Sequence, residues 1–109
     1  MTTRAYIALG SNLGDPLATV QAAFAALRTL PETTLVAASS LYRSAPVGLK
    51  HQPDFINAVV AVDAALGAEA LLDELFAIEA RFGRRRDSHH APRTLDLDLL
   101  LYGSETRRG

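Results

Sequence analysis

Leu95-Asp96-Leu97-Asp98-Leu99-Leu100-Leu101 alternates apolar and acidic residues before it runs into leucine. Period-two alternation describes a strand, because successive side chains point to opposite faces. Asp96 and Asp98 then share one face, roughly 6.5 Å apart along the chain. Leu95, Leu97, Leu99 and Leu101 fill the other, and the segment is read as a strand from Leu95 to Tyr102. Two carboxylates on an otherwise apolar strand repel each other and resist desolvation unless a cation satisfies them. Magnesium suits them, since it takes carboxylate oxygens together with substrate phosphates. A half-exposed edge strand with two solvated acids is the plainer alternative.

Working back from this strand, Glu69 to Phe82 reads as a helix with Leu71, Leu72, Leu75, Ile78 and Phe82 inward, closed by Gly83. Phe55 to Val62 reads as a strand that Gly67 separates from that helix. Ser44-Ala45-Pro46-Val47-Gly48 through Gln52-Pro53 is turn-rich, and a loop of this length in a small domain is more often functional than idle. Thr33 to Tyr42 is β-branched, small or aromatic, and reads as one strand. Asp15-Pro16 supplies an N-cap and a proline for the first helical position. Leu17, Val20, Phe24, Leu27 and Leu30 then form one helical stripe that Pro31 ends. Ala5 to Leu9 is a short apolar strand stopped by Gly10. The order is β-α-β-β-α-β, which predicts an α+β ferredoxin-like fold: an antiparallel sheet with two helices on one face.

The chain has 109 residues, the size of one domain spanning 1–109. It contains no cysteine, which excludes a disulfide scaffold, a thiolate zinc site and a cysteine nucleophile. The net charge is −1, so nothing suggests general attraction to nucleic acid or anionic lipid. The opening Met1 to Ile7 has no long apolar run, and no stretch approaches the ~18 apolar residues of a membrane span. A cytoplasmic protein is expected.

Positive charge is local. Arg84, Arg85, Arg86 and Arg93 cluster with His89 and His90 just before the aspartates. Guanidinium forks suit phosphate oxygens, although such clusters are often only solvated. The two histidines could touch phosphate or exchange protons, which loop histidines usually do not. Gly10-Ser11-Asn12-Leu13-Gly14 joins a strand to a helix, where backbone N–H groups can approach an anion. It lacks the ending of a P-loop, and by itself reads as a tight turn. Phe55 and Asn57 alternate on one strand face, an aromatic plane beside an amide, as a flat heterocycle requires. Alone, the two read as a core phenylalanine and a turn-capping asparagine.

Four segments stand in one order: Ala5 to Gly14 (AYIALGSNLG), Ser40 to Gly48 (SLYRSAPVG), Gln52 to Ala58 (QPDFINA) and Pro92 to Gly103 (PRTLDLDLLLYG). In that order the sequence resembles the 6-hydroxymethyl-7,8-dihydropterin pyrophosphokinase family of folate biosynthesis, over nearly the whole chain. The resemblance implies an ATP-dependent transferase that moves the terminal pyrophosphate of ATP to the pterin hydroxymethyl oxygen and releases AMP. It implies two Mg2+ ions between Asp96, Asp98 and the ATP phosphates, with Arg84, Arg86 and Arg93 at those phosphates. Phe55 would stack on the pterin and Asn57 would hydrogen-bond it. Ser44, Ala45 and Val47 would contribute through the loop, and Gly10 would form a wall. Leu72 and Glu79 on the second helix are assigned to the nucleotide, with Glu79 closing the site. ATP and the pterin are then the partners of a monomer that binds neither nucleic acid nor membrane.

Family members run roughly half as long again. Their further segment supplies a second aromatic over the pterin, a histidine and arginines at the phosphates, and backbone contacts to adenine. Arg86 to Pro92 also looks one residue short, with His90 near a position where tryptophan can occur. A chain without those groups is expected to fold and bind magnesium but to turn over weakly. The alternatives are a shortened homologue that binds Mg-nucleotide or pterin with little turnover, and a regulatory ferredoxin-like module that uses no metal.

Overall fold

A computed structural model describes residues 1–12, 14–45, 54–83 and 95–106. Its elements run β1 (Thr3–Ser11), α1 (Pro16–Arg28), β2 (Thr33–Ala38), β3 (Tyr42–Ser44), β4 (Phe55–Ala64), α2 (Ala68–Arg81), β5 (Asp96–Tyr102) and β6 (Glu105–Thr106). Among the described residues these strands make one antiparallel sheet in the order β2-β4-β1-β5-β6, with β3 also beside β4. Both β2 and β3 lie along the same edge of β4. The arrangement is therefore the β-α-β-β-α-β ferredoxin-like fold that the sequence predicts, with a two-residue β6 added.

One face of the sheet is apolar because alternate positions of its strands are. Ala5, Ile7 and Leu9 of β1, Ala58, Val60, Val62 and Ala64 of β4, and Leu97 and Leu99 of β5 are buried there. They meet Val20, Ala23 and Leu27 of α1 and Leu71, Leu75 and Ile78 of α2 in one core. Burying each Leu, Ile or Val of this set contributes about 1.5–3 kcal/mol. The helices start and stop where local chemistry directs. The Asp15 carboxylate accepts from Ala18 N at 3.2 Å, with Pro16 at the start of α1. Beyond Phe82, Gly83 takes φ 90° and its N–H donates to Ala80 O at 3.1 Å.

Three expectations need correction. The first concerns Thr33 to Tyr42, which is two strands. The β2–β4 register shifts between Leu35 and Ala37, and regular pairing stops at Ala38. Ser39 bridges the break: its N–H donates to Val59 O and its hydroxyl accepts from Val59 N, both at 2.8 Å. The second concerns Leu101, which is not on the face of Leu97 and Leu99. The β1–β5 register shifts between Tyr6 and Ile7, so Ile7 opposes Leu99 while Tyr6 opposes Leu101. Leu100 is the extra residue of a bulge, and every side chain beyond it changes face. Leu101 turns outward and Tyr102 takes the covered side, where its hydroxyl donates to Leu66 O at 2.7 Å. The third concerns Leu17, which is 47% exposed while Ala23 is buried. The first turn of α1 overhangs a concavity of about 340 Å³ lined by Asp15, Pro16, Leu17, Arg43, Asp54 and Ile56.

Candidate active site

The sheet face opposite the two helices carries Gly10, Ser44, Phe55, Asn57, Asp96 and Asp98, and its register brings them into rows. Tyr42 opposes Asn57, Asn57 opposes Gly10, and Gly10 opposes Asp96, so one row crosses four strands. Ser44 opposes Phe55 on one side of this row, and Val59, Ala8 and Asp98 align on the other. On this face the side chains of the central strand shrink to those of Ala8 and Gly10, between larger side chains on both neighbours. The result is a concavity of about 320 Å³ lined by Ala8, Leu9, Gly10, Ser44, Ala45, Phe55, Asn57, Asp96 and Asp98. Neighbouring strands lie about 4.8 Å apart, so the Asn57 and Asp96 backbones stand roughly 10 Å apart across Gly10.

One wall is aromatic and amide, and the other is anionic. Asn57 Nδ2 donates to Ser44 Oγ at 2.7 Å and reaches Tyr42 O at 3.5 Å. Its Oδ1 therefore faces the floor, 3.1 Å from where a side-chain carbon on Gly10 would lie. That approach explains the glycine: any Cβ here would crowd an amide already held from behind. Across the floor, Asp96 is half-buried and Asp98 exposed, both on the same side of β5. Two carboxylates that share a face and open onto one concavity form a donor set suited to Mg2+, whose remaining ligands would be water and phosphate oxygens. Among the described residues no group of three or more His, Cys, Asp or Glu converges on a metal position.

Of the predicted site residues, Gly10, Ser44, Ala45, Phe55, Asn57, Asp96 and Asp98 come together in this concavity. Leu72 and Glu79 do not line it. Leu72 is half-buried against the core, and Glu79 is buried on α2 with its carboxylate accepting from Leu97 N at 2.8 Å. Val47, Arg84, Arg85, Arg86, His89, His90 and Arg93 lie outside the described residues. Sequence reasoning missed Ala8 as part of the floor. Its signal was there: two small residues at positions i and i+2 of a strand keep one face low.

No helix among the described residues is long and apolar enough to cross a membrane. The family model for 7,8-dihydro-6-hydroxymethylpterin-pyrophosphokinase (HPPK) matches residues 6–106. The chain is similar to the 2-amino-4-hydroxy-6-hydroxymethyldihydropteridine pyrophosphokinases of several bacteria. It is 53% identical to that of Pseudomonas aeruginosa over 105 residues, covering 96% of this chain and 65% of the relative. It is 50% identical to that of Haemophilus influenzae over 101 residues, covering 93% and 63%. With the Bacillus subtilis protein the identity is 40% over 105 residues, covering 96% and 63%. The chain thus spans somewhat less than two thirds of the length of these relatives. With a family match from Tyr6 to Thr106 and a concavity that assembles its motifs, the chain belongs to the 7,8-dihydro-6-hydroxymethylpterin-pyrophosphokinase family.

Proposed function

We propose that this protein transfers pyrophosphate from ATP to the hydroxymethyl group of 6-hydroxymethyl-7,8-dihydropterin and releases AMP. The observation that carries the reading is the juxtaposition of two unlike walls in one concavity: Phe55 and Asn57 on one side, Asp96 and Asp98 on the other. A flat heterocycle fits between the Phe55 ring and the Gly10–Ala8 floor, with the Asn57 carbonyl presenting an acceptor to a ring N–H or amino group. Ser44 holds that amide in orientation, and Ala45 and Val47 add loop backbone. The pterin hydroxymethyl oxygen bonds to the β-phosphorus as the bond from that phosphorus to the α–β bridging oxygen breaks. AMP departs with that electron pair, and the hydroxyl proton passes to water.

Asp96 and Asp98 would hold magnesium, two ions by family likeness, and the metal supplies charge neutralisation at the phosphates. Arg84, Arg86 and Arg93 add fixed positive charge from the segment before β5. Positioning of hydroxyl and phosphorus then accounts for most of what the protein does. The near-neutral charge favours small-molecule partners, and we extend the proposal to a cytoplasmic monomer that binds neither nucleic acid nor membrane.

The direct test incubates the 109-residue chain with ATP, Mg2+ and the pterin and follows AMP. Pterin-dependent AMP with a pterin product heavier by one pyrophosphate is the expected result. Binding of both ligands without AMP would make it a binding protein. Failure to bind ATP with magnesium would overturn the reading.

A further inference from the structure

Glu79 is an unexpected residue for its place. It sits on α2, whose other buried residues are Ala68, Leu71, Leu75 and Ile78, and is 1% exposed. Burying a carboxylate costs several kcal/mol, and a leucine of similar volume would fill that core space without the cost. One contact of the carboxylate is specific: Glu79 Oε2 accepts from the backbone N–H of Leu97 at 2.8 Å. Leu97 is the residue between Asp96 and Asp98, its side chain buried while theirs face the concavity.

The strand needs such a hold at this point. On one side β5 pairs with β1, Leu97 opposite Leu9. On the other side its only strand neighbour among the described residues is β6, which reaches no further than Leu101. An N–H carries one hydrogen, so the Leu97 donor directed at Glu79 serves where a further strand would otherwise bond. A hydrogen bond to a charged acceptor is short and about twice as strong as a neutral one. Fixing the Leu97 peptide fixes the backbone torsions on both sides of it, and so the directions in which Asp96 and Asp98 leave the strand. Magnesium demands near-ideal octahedral geometry, so small rotations of its ligands are felt directly in affinity.

We propose that Glu79 is a positioning residue for the magnesium carboxylates, acting through the Leu97 amide from the opposite face of the sheet. The inference rests on the reading of Asp96 and Asp98 as the metal ligands.

The test uses the 109-residue chain and Mg2+ alone. Nitrogen-15 amide shifts of β5 report metal binding, and hydrogen exchange at Leu97 without metal reports the contact itself. Glu79→Leu removes the acceptor, Glu79→Asp keeps the charge but withdraws it by one methylene, and Glu79→Gln keeps an acceptor oxygen at the same reach. Leu97 exchange should accelerate in the first two and stay slow in the third. The Mg2+ dissociation constant should rise about ten- to hundredfold in the first two, the usual effect of losing a partner that orients a metal ligand. In Glu79→Gln it should stay within about threefold, because the orienting contact survives. Should Glu79→Leu fail to fold, Glu79→Asp carries the test. Ile78→Ala, a core truncation on the same helix, should lower Tm and leave the Mg2+ constant unchanged. Unaltered Mg2+ affinity in Glu79→Asp, or an equal loss in Ile78→Ala, overturns the positioning role and leaves the aspartates as ligands. Absence of any Mg2+-dependent shift at Asp96 and Asp98 in the unaltered chain overturns the metal reading, and the positioning role with it.

Discussion

The two ends of the sheet face opposite the helices present the same residue type in different surroundings. At one end Asp63 of β4 stands directly across from Arg4 of β1, and Arg4 Nε donates to its Oδ1 at 2.6 Å. At the other end Asp96 and Asp98 stand beside Ala8 and Gly10, which are too small to reach them, and a concavity opens in front. Period-two alternation places all three acids on this face. The residue on the central strand marks the difference: a long cation forms a surface ion pair at one end, and an alanine and a glycine leave room for a concavity at the other. A cross-strand neighbour thus shapes the space in front of a carboxylate on this face.

Removing charge at each end should break the comparison most visibly. Asp96→Asn or Asp98→Asn takes away a hard anionic ligand at constant size. Magnesium-dependent ATP binding should fall about a hundredfold, roughly 2.7 kcal/mol, with the fold retained. Asp63→Asn should leave that binding unchanged, and calorimetric titration of the three variants measures the difference. Equal losses at both ends would mean that the concavity has no special claim on metal.

Next in size is the aromatic wall. Phe55→Ala should weaken pterin binding about tenfold or more, because it removes a stacking face along with buried area. Mg2+ binding at Asp96 and Asp98 should be unaffected, since Phe55 and the aspartates stand on opposite walls. Fluorescence titration with the pterin and the amide-shift titration with Mg2+ separate the two.

Gly10→Ala sharpens the same contrast at lower amplitude. The new Cβ would sit 3.1 Å from Asn57 Oδ1, and that amide cannot retreat freely because Ser44 Oγ holds its nitrogen at 2.7 Å. Pterin affinity should fall about three- to tenfold, around 1 kcal/mol, with Mg2+ affinity unchanged. Tighter binding would show that the amide relaxes and that the floor is not filled.

The smallest effect belongs to the ion pair. The Arg4 hydrogen bond holds the Asp63 carboxyl below its ordinary pKa, and Asp63 raises that of Arg4 in return. A carboxyl with a lowered folded pKa lends stability that is fully present above the unfolded value and lost as pH falls through the folded one. Both partners are solvent-exposed, so the pH-dependent contribution is slight. A carbon-13 titration should find Asp63 ionised to lower pH than an unpaired aspartate, and Arg4→Ala should return it to the ordinary range. An unmoved Asp63 in that variant would refute the pairing.

How far the site was legible depended on the period. Asp96 and Asp98 could be placed together because alternation needs only one strand. Phe55 and Asn57 were placed on one face for the same reason. Leu101 was misplaced because the bulge that reverses it lies in the pairing of Tyr6 and Ile7 with β5, a relation between segments nearly a hundred residues apart. The break at Ser39 was hidden likewise, since a hydroxyl that accepts from Val59 leaves no mark in local propensity.

Local order, then, was written in the chain: both helices, the strands that became β1, β4 and β5, the N-cap at Asp15, the C′ glycine at Gly83, and the shared face of the two aspartates. These follow from periodicity and backbone chemistry, which act over a few neighbours. Only tertiary structure decided that Ala8 and Gly10 floor the concavity, that Ser44 turns the Asn57 amide, and that Glu79 reaches under the sheet to Leu97. Each of these depends on which strand lies beside which and in what register, and register is settled by the packing of whole elements on a common core.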